Sequence, residues 1–177
     1  MDLQIESIID VSDSRLDVIR DIYSASFPVE EQRPWESLLV KVADGEISLY
    51  VAMADGAVAG MATAWHLDGF RYIEHLAVDP RLRGHGLGAD VVRRLLSADS
   101  LPVVLEVEPL GFSAMAQRRI SFYERLGFTA HHGYCYVQPP YTPDLPSVSL
   151  TLMTAGEGVP DLDAVTAQLH SRVYGVR

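Results

Sequence analysis

The most constraining feature of this 177-residue sequence is the segment HLAVDPRLRGHGLGADVV at residues 75–92. An apolar run gives way at Pro80 to a charged link, then to glycines at 84, 86 and 88, and then to helical spacing. Leu87, Val91, Leu95 and Leu96 fall on one side of that helix, with Asp90, Arg93 and Arg94 on the other. Residues 101–108 read as the next strand, so residues 71–108 are expected to form a βαβ crossover with one parallel strand pair. Glycines at the mouth of such a helix let main-chain N–H groups approach an anion, and the helix N-terminus adds partial positive charge. A phosphate-bearing ligand follows, with Arg81 and Arg83 beside the loop.

An antiparallel meander leads into this unit. Residues 3–9 alternate as a first strand, and the Ser12, Asp13, Ser14 cluster is expected to cap a helix with Leu16, Ile19, Tyr23 and Phe27 on one face. Pro34 suits the start of a second short helix carrying Trp35, Leu38, Leu39 and Val42. Ile47, Leu49, Val51 and Met53 then alternate with Ser48, Tyr50 and Ala52 as a strand. Asp55-Gly56 and Asp68-Gly69 are hairpin signals on either side of a strand over 58–67, and a strand over 71–78 follows. Downstream, Ser113 caps a helix that Gly127 stops. Residues 128–137 and 147–153 read as two strands around the turn-rich QPPYTPDLP, and Asp161 caps a last helix with Leu162, Val165, Leu169 and Val173. The fold class expected is α/β, a mixed sheet of about seven strands, mostly antiparallel with one parallel pair, and four to five helices. One domain is expected over 3–154, with 155–177 a C-terminal helix packed on it or extending it.

Charge and composition narrow the partners. A net charge of -10 argues against nucleic acid, whose phosphates are gripped by clustered Lys and Arg. Residues 1–70 hold thirteen acids and four bases, whereas residues 71–125 hold seven acids and eight bases, an arrangement suited to a cationic acceptor and an anionic cofactor. No run reaches the roughly 18 apolar residues of a membrane span, and MDLQIESIID is unlike a signal peptide, so no membrane partner and a cytoplasmic location are expected. The single cysteine, Cys135, excludes an internal disulfide and is expected to be buried in a strand. The six histidines show no zinc-ligand spacing, His131-His132 is expected to be exposed, and no metal is expected.

Two phosphate-binding motifs compete for the glycine loop. Gly84, Gly86 and Ala89 satisfy the GxGxxA dinucleotide fingerprint, with Glu106 or Glu108 as the ribose-binding acid. That motif follows the first strand of a parallel sheet, however, and here the glycines follow a meander and the charged link DPRLR. A P-loop is excluded, because no GK[ST] follows.

LAVDPRLRGHGLG resembles the acyl-CoA loop of the GNAT superfamily of N-acetyltransferases, with Arg83, Gly86 and Gly88 at the positions of its Q/R-x-x-G-x-G/A pattern. SFYERLGF, residues 121–128, is similar to the family's second landmark, an aromatic-Tyr helix end followed by Gly-Phe. The order of elements matches over residues 3–153. In one departure, Ala116 and Arg119 stand where many members carry Asn and Ala, which removes the basis for an Asn contact to the pantetheine arm.

The resemblance implies acetyl-CoA as cosubstrate and a small amine or peptide as acceptor, and it allows a homodimer. The main chain of Leu76, Ala77 and Val78 would pair with the pantetheine arm, the Leu76 N–H facing the thioester oxygen, and the N–H groups of Arg83, Gly84, His85, Gly86, Leu87 and Gly88 would take the pyrophosphate. Tyr123 would protonate the departing thiolate. An attacking amine must first shed a proton, and Glu74 and Glu106, on the strands flanking the loop, are both candidates to accept it. Glu106 stands where the similar ribosomal-protein alanine acetyltransferases place their base. The segment FPVEEQRPW, residues 27–35, is a candidate acceptor loop through Glu30 and Glu31. The rival from another class is a non-catalytic acyl-CoA-binding module that keeps the loop without turnover.

Overall fold

A computed structural model describes residues 2–176. In chain order the strands are β1 (Leu3–Ile8), β2 (Ile47–Ala54), β3 (Ala57–Leu67), β4 (Phe70–Val78), β5 (Val103–Val107), β6 (Thr129–Ala130), β7 (Tyr136–Gln138) and β8 (Val148–Ala155). The α-helices are α1 (Leu16–Ser26), α2 (Trp35–Ala43), α3 (Leu87–Leu96), α4 (Ala114–Glu124) and α5 (Leu162–Gln168). The strand order is β1-β2-β3-β4-β5-β8-β6, with β7 also paired to β8. This is the mixed α/β sheet expected, with one parallel pair and five helices among the described residues. No helix among them is long and apolar enough to cross a membrane.

The chain forms two compact units. The first holds the chain up to Trp65 together with Ile73–Leu95. Its strands β1, β2 and β3 form an antiparallel meander, with Leu3 opposite Ala54 and Ile47 opposite Trp65. The Asp55-Gly56 turn is tight because both residues are left-handed (φ 49° and 81°), the geometry that matches strand twist in a two-residue hairpin. Strand β3 is buried on both faces from Ala59 to Trp65, which explains its small side chains. At Gly60 a Cβ would lie 2.6 Å from the Ala77 carbonyl oxygen, so only glycine lets β4 come this close. The cap of α1 differs from expectation. Arg15 occupies the N-cap without a side-chain bond, while Asp13 accepts from its N–H at 2.9 Å. The acidic cluster therefore folds into turns of its own, because Asp and Ser bond readily to the backbone two residues on.

The second unit holds His66–Tyr72 and the chain from Leu96 onward. Strand β8 pairs with β5 along one edge, Glu106 lying opposite Leu152, and with both β6 and β7 along the other. The single strand expected over 128–137 is thus two short ones. A turn interrupts it at residues 131–135, where Tyr134 sends its hydroxyl to Asp163 (2.7 Å) and Thr166 (2.9 Å) of α5. Cys135, expected inside a strand, is exposed in this turn. His131 is half-buried and bonded to Thr154, whereas His132 is exposed. Ser113 caps α4 through Ala116 N–H (3.0 Å), and Asp161 caps α5 through Asp163 N–H, both as the sequence predicts.

The Gly60 contact yields a direct test. Gly60→Ala should destabilise the fold by about 1–3 kcal/mol, because the added methyl overpacks against main chain that cannot rotate away. Gly133→Ala, with open space around it and φ outside the left-handed region, should stay within about 0.5 kcal/mol of wild type. Chemical denaturation of the two variants measures both.

Candidate active site

In the first unit, β4 leads into the glycine loop through a built turn. Asp79 accepts from the N–H (2.9 Å) and guanidinium (2.6 Å) of Arg81, and these bonds hold its carboxyl at about 2. Arg83 folds back onto the Val78 carbonyl at 3.3 Å, and the His85 ring lies 3.2 Å from the Leu82 carbonyl. Gly84 and Gly86 are both left-handed (φ 83° and 82°), with no atom within 4 Å of where a side chain would begin. The first main-chain bond of α3 runs from Asp90 N–H to Gly86 O at 3.1 Å. Among the described residues, the six N–H groups from Arg83 to Gly88 have no acceptor. Main-chain N–H groups without an acceptor at a helix start are what an anion requires.

Along β4, His75 and Ala77 are buried, while Glu74, Leu76 and Val78 are half-buried. The Glu74 side chain is itself 0% exposed, so its exposed part is main chain. Its carboxylate is fully engaged. Oε1 accepts from Arg33 Nε (2.9 Å) and Nη2 (2.7 Å), and Oε2 accepts from Trp65 Nε1 (2.7 Å). Burial pushes this carboxyl upward, but the Arg33 charge, the neighbouring His75 and these bonds outweigh it and leave it below its usual value. Arg33 is only 5% exposed and stacks over Trp65, with Cζ 5.4 Å from the ring centroid. Its N–H donates to Tyr23 Oη at 2.7 Å. His75 Nε2 lies 2.8 Å from the Glu31 carbonyl, so residues 31–33 are pinned to β4 at two points. The segment 27–35 is therefore anchored, with Val29–Glu31 a single 3-10 turn and Glu30 and Glu31 both half-buried.

In the second unit, Glu106 sits half-buried on β5 among tyrosines. Tyr136 of β7 donates to Oε1, and Tyr174 donates to Oε2 at 2.9 Å and to Oε1 at 3.1 Å. Burial and the Glu106 charge raise both phenols well above their ordinary value, so both remain donors. Tyr123 lies on the last turn of α4, 8% exposed, packed between Phe122 and Phe128. Burial raises its hydroxyl to about 12, and among the described residues that hydroxyl has no hydrogen-bond partner.

Of the residues singled out in the sequence, Glu74, Leu76, Ala77, Val78 and residues 83–88 lie in the first unit. Glu106 and Tyr123 lie in the second. Sequence reasoning missed the partners of the two carboxylates. Arg33, which follows Glu30, Glu31 and Gln32, and Trp65 carried no local signal of their pairing with Glu74. Tyr136 and Tyr174 carried none.

The model of the acetyltransferase (GNAT) family matches residues 16–128. The chain belongs to the GNAT acetyltransferase family. A GNAT-family protein from Bacteroides thetaiotaomicron, assigned as an acetyltransferase, is 33% identical, with 98% of this chain and 99% of that one covered and a TM-score of 0.90. The ribosomal-protein alanine N-acetyltransferase of Escherichia coli shares the fold at 21% identity, with 90% and 99% covered and a TM-score of 0.62. So does an aminoglycoside 6'-N-acetyltransferase complexed with coenzyme A, at 16% identity, with 89% and 99% covered and a TM-score of 0.65. No curated protein matches the sequence. The family suggested by RGHGLG and SFYERLGF is thus the one to which this chain belongs.

His75 makes this GNAT chain's stability pH-dependent in a defined direction. Burial lowers its pKa, so the fold holds it neutral although Glu74 pulls the other way. Below about pH 6.5 the unfolded chain takes up a proton that the fold refuses. Stability from this group is therefore complete above about pH 6.5 and lost as pH falls through the folded value. Melting temperatures at pH 7.5 and 5.5 should differ by several degrees in wild type and clearly less in His75→Gln. An equal difference in both would remove His75 as the cause.

Proposed function

We propose that this GNAT chain is an acetyl-CoA-dependent N-acetyltransferase that acetylates a primary amine of a small molecule or peptide by direct attack. The observation that carries this function is the run of six acceptor-less N–H groups from Arg83 to Gly88, opened by two left-handed glycines at the start of α3. A pyrophosphate fits such donors, and the coenzyme A bound by one fold relative supports the same ligand class. The half-buried residues Glu74, Leu76 and Val78 of β4 suit an extended pantetheine arm alongside. Acceptors of fold relatives include an aminoglycoside and a protein alanine, so the fold accommodates both classes proposed.

The cosubstrate supplies an activated acetyl carbonyl; the chain supplies donors and proton transfer. Glu106, which accepts from the Tyr136 and Tyr174 phenols, is the acceptor of the amine's proton, through water. Glu74 is an anchor, its two oxygens committed to Arg33 and Trp65. The Leu76 N–H donates to the oxygen on which charge develops. Tyr123, protonated at any working pH and without a competing partner, donates to the leaving sulfur.

Two variants test this division. Gly86→Val forces a β-branched residue into left-handed backbone and fills the space before the N–H groups, so calorimetry should show at least about a tenfold loss of acetyl-CoA affinity in a folded protein. Tyr123→Phe should keep cofactor affinity and lose about 10- to 1000-fold in kcat. Wild-type affinity in the first variant would remove the loop from cofactor binding. If Tyr123→Phe kept its kcat, with chemistry rate-limiting, Tyr123 would belong only to the core.

A further inference from the structure

Helix α4 carries an arginine one turn before Tyr123, the residue assigned to the leaving sulfur. Arg119 and Tyr123 are four residues apart, the spacing at which two side chains share a helix face. Side chains on a helix lean back toward its N-terminus, so the Tyr123 ring lies over the turn that holds Arg119. Both ends of this helix are fixed. Ser113 accepts the Ala116 N–H at 3.0 Å, and the Tyr123 carbonyl accepts from the N–H groups of Leu126 (2.9 Å) and Phe128 (3.1 Å). The Arg119 guanidinium is held in turn by Glu108, just past β5, in a single contact at 3.5 Å. Arg119 is also a departure in the sequence, standing where many members of the family carry Ala.

We propose that Arg119 is a positioning residue for the acid step, its charge supporting the phenolate that Tyr123 becomes on giving its proton to the leaving sulfur, with Glu108 setting where that charge is held. This role rests on the reading of Tyr123 as the acid. When the C–S bond breaks, its electron pair stays on sulfur, and the sulfur takes the Tyr123 hydroxyl proton. The phenolate is then reprotonated by the proton the amine has shed, so one amine N–H is exchanged for one thiol S–H. A phenolate between the rings of Phe122 and Phe128 is poorly solvated, and a cation one helical turn away offsets that cost where an Ala would not. Among the described residues, the Arg119 charge is the one that acts on the Tyr123 hydroxyl, favouring ionisation against burial, which is the larger effect. Helix α4 packs on β5 and β6. The two residues of β6 are uncharged; on β5, Glu106 meets the phenols of Tyr136 and Tyr174, and Glu108, just beyond it, meets Arg119. A carboxylate at 3.5 Å fixes the guanidinium and offsets its charge only in part.

The test follows the Tyr123 hydroxyl directly. Tyr123 is replaced by 3,5-difluorotyrosine, whose more acidic hydroxyl titrates in an accessible range, and its ionisation is read by ¹⁹F NMR. Arg119→Ala should raise that titration by about 0.5–1 pH unit, Arg119→Lys should leave it within about 0.3 unit, and Glu108→Gln, which leaves the cation unopposed, should lower it. In protein with its natural Tyr123, the kcat of Arg119→Ala should fall about tenfold with chemistry rate-limiting, while acetyl-CoA affinity by calorimetry stays within about twofold; Arg119→Lys should recover most of the loss. Added to Tyr123→Phe, Arg119→Ala should cost less than about twofold more. The opposite shifts from Arg119→Ala and Glu108→Gln keep the test readable if either variant is unstable. A titration unmoved by both changes, or a loss of kcat that adds in full to that of Tyr123→Phe, would overturn the role of Arg119. Full kcat in Tyr123→Phe would overturn the acid reading itself, whatever Arg119 does to the titration, and the role of Arg119 falls with it.

Discussion

The ion pair between Arg33 and Glu74 is the constraint on which the first unit depends. A carboxylate with 0% side-chain exposure is tolerated only when its charge and lone pairs are met, and here one guanidinium and one indole N–H meet them. That commitment fixes more than a charge. It fastens residues 31–33 to the middle of β4 and brings Trp65 of β3 into the same cluster. It also leaves the main chain at Glu74 as the exposed part of the residue. Breaking one partner of such a pair strands the other as a buried charge, which makes the pair a strong determinant of local geometry whatever its net contribution to stability.

The two strand carboxylates illustrate how environment assigns roles to identical groups. Glu74, its side chain 0% exposed, faces a permanent cation that cannot give up its proton. Glu106, half-buried, accepts from the phenols of Tyr136 and Tyr174. Proton transfer needs the second environment and structural anchoring needs the first. The glycine loop applies the same economy to the backbone. The side chains of Asp79, Arg83 and His85 bond within the turn, and among the described residues the N–H groups of residues 83–88 have no acceptor.

Much of this was legible in the sequence, and the rest was hidden for identifiable reasons. Local signals succeeded: Ser113 and Asp161 as caps, Asp55-Gly56 as a hairpin, and the glycine loop opening α3 are all written within a few residues. Where a long-range contact competed, local reading failed. Residues 128–137 look like one strand, but Tyr134 is drawn to α5, about thirty residues away in sequence, and the strand breaks there. Cys135 follows it to the surface. The distinction between Glu74 and Glu106 was illegible because it rests on partners 41 and 68 positions distant. No periodicity announces that Arg33 will fold onto β4, or that Tyr174 will reach β5.

We propose that Glu106 accepts the amine's proton and that Glu74 is an anchor. The pH dependence of kcat/KM for Glu106→Gln and Glu74→Gln, measured with acetyl-CoA and one amine acceptor, tests it most directly. Glu106→Gln should lose activity at neutral pH and recover at high pH, where neutral amine becomes abundant. Glu74→Gln should lower the melting temperature and raise the acceptor KM without recovery at any pH. A pH-rescued loss in Glu74→Gln beside near wild-type rates in Glu106→Gln would contradict it.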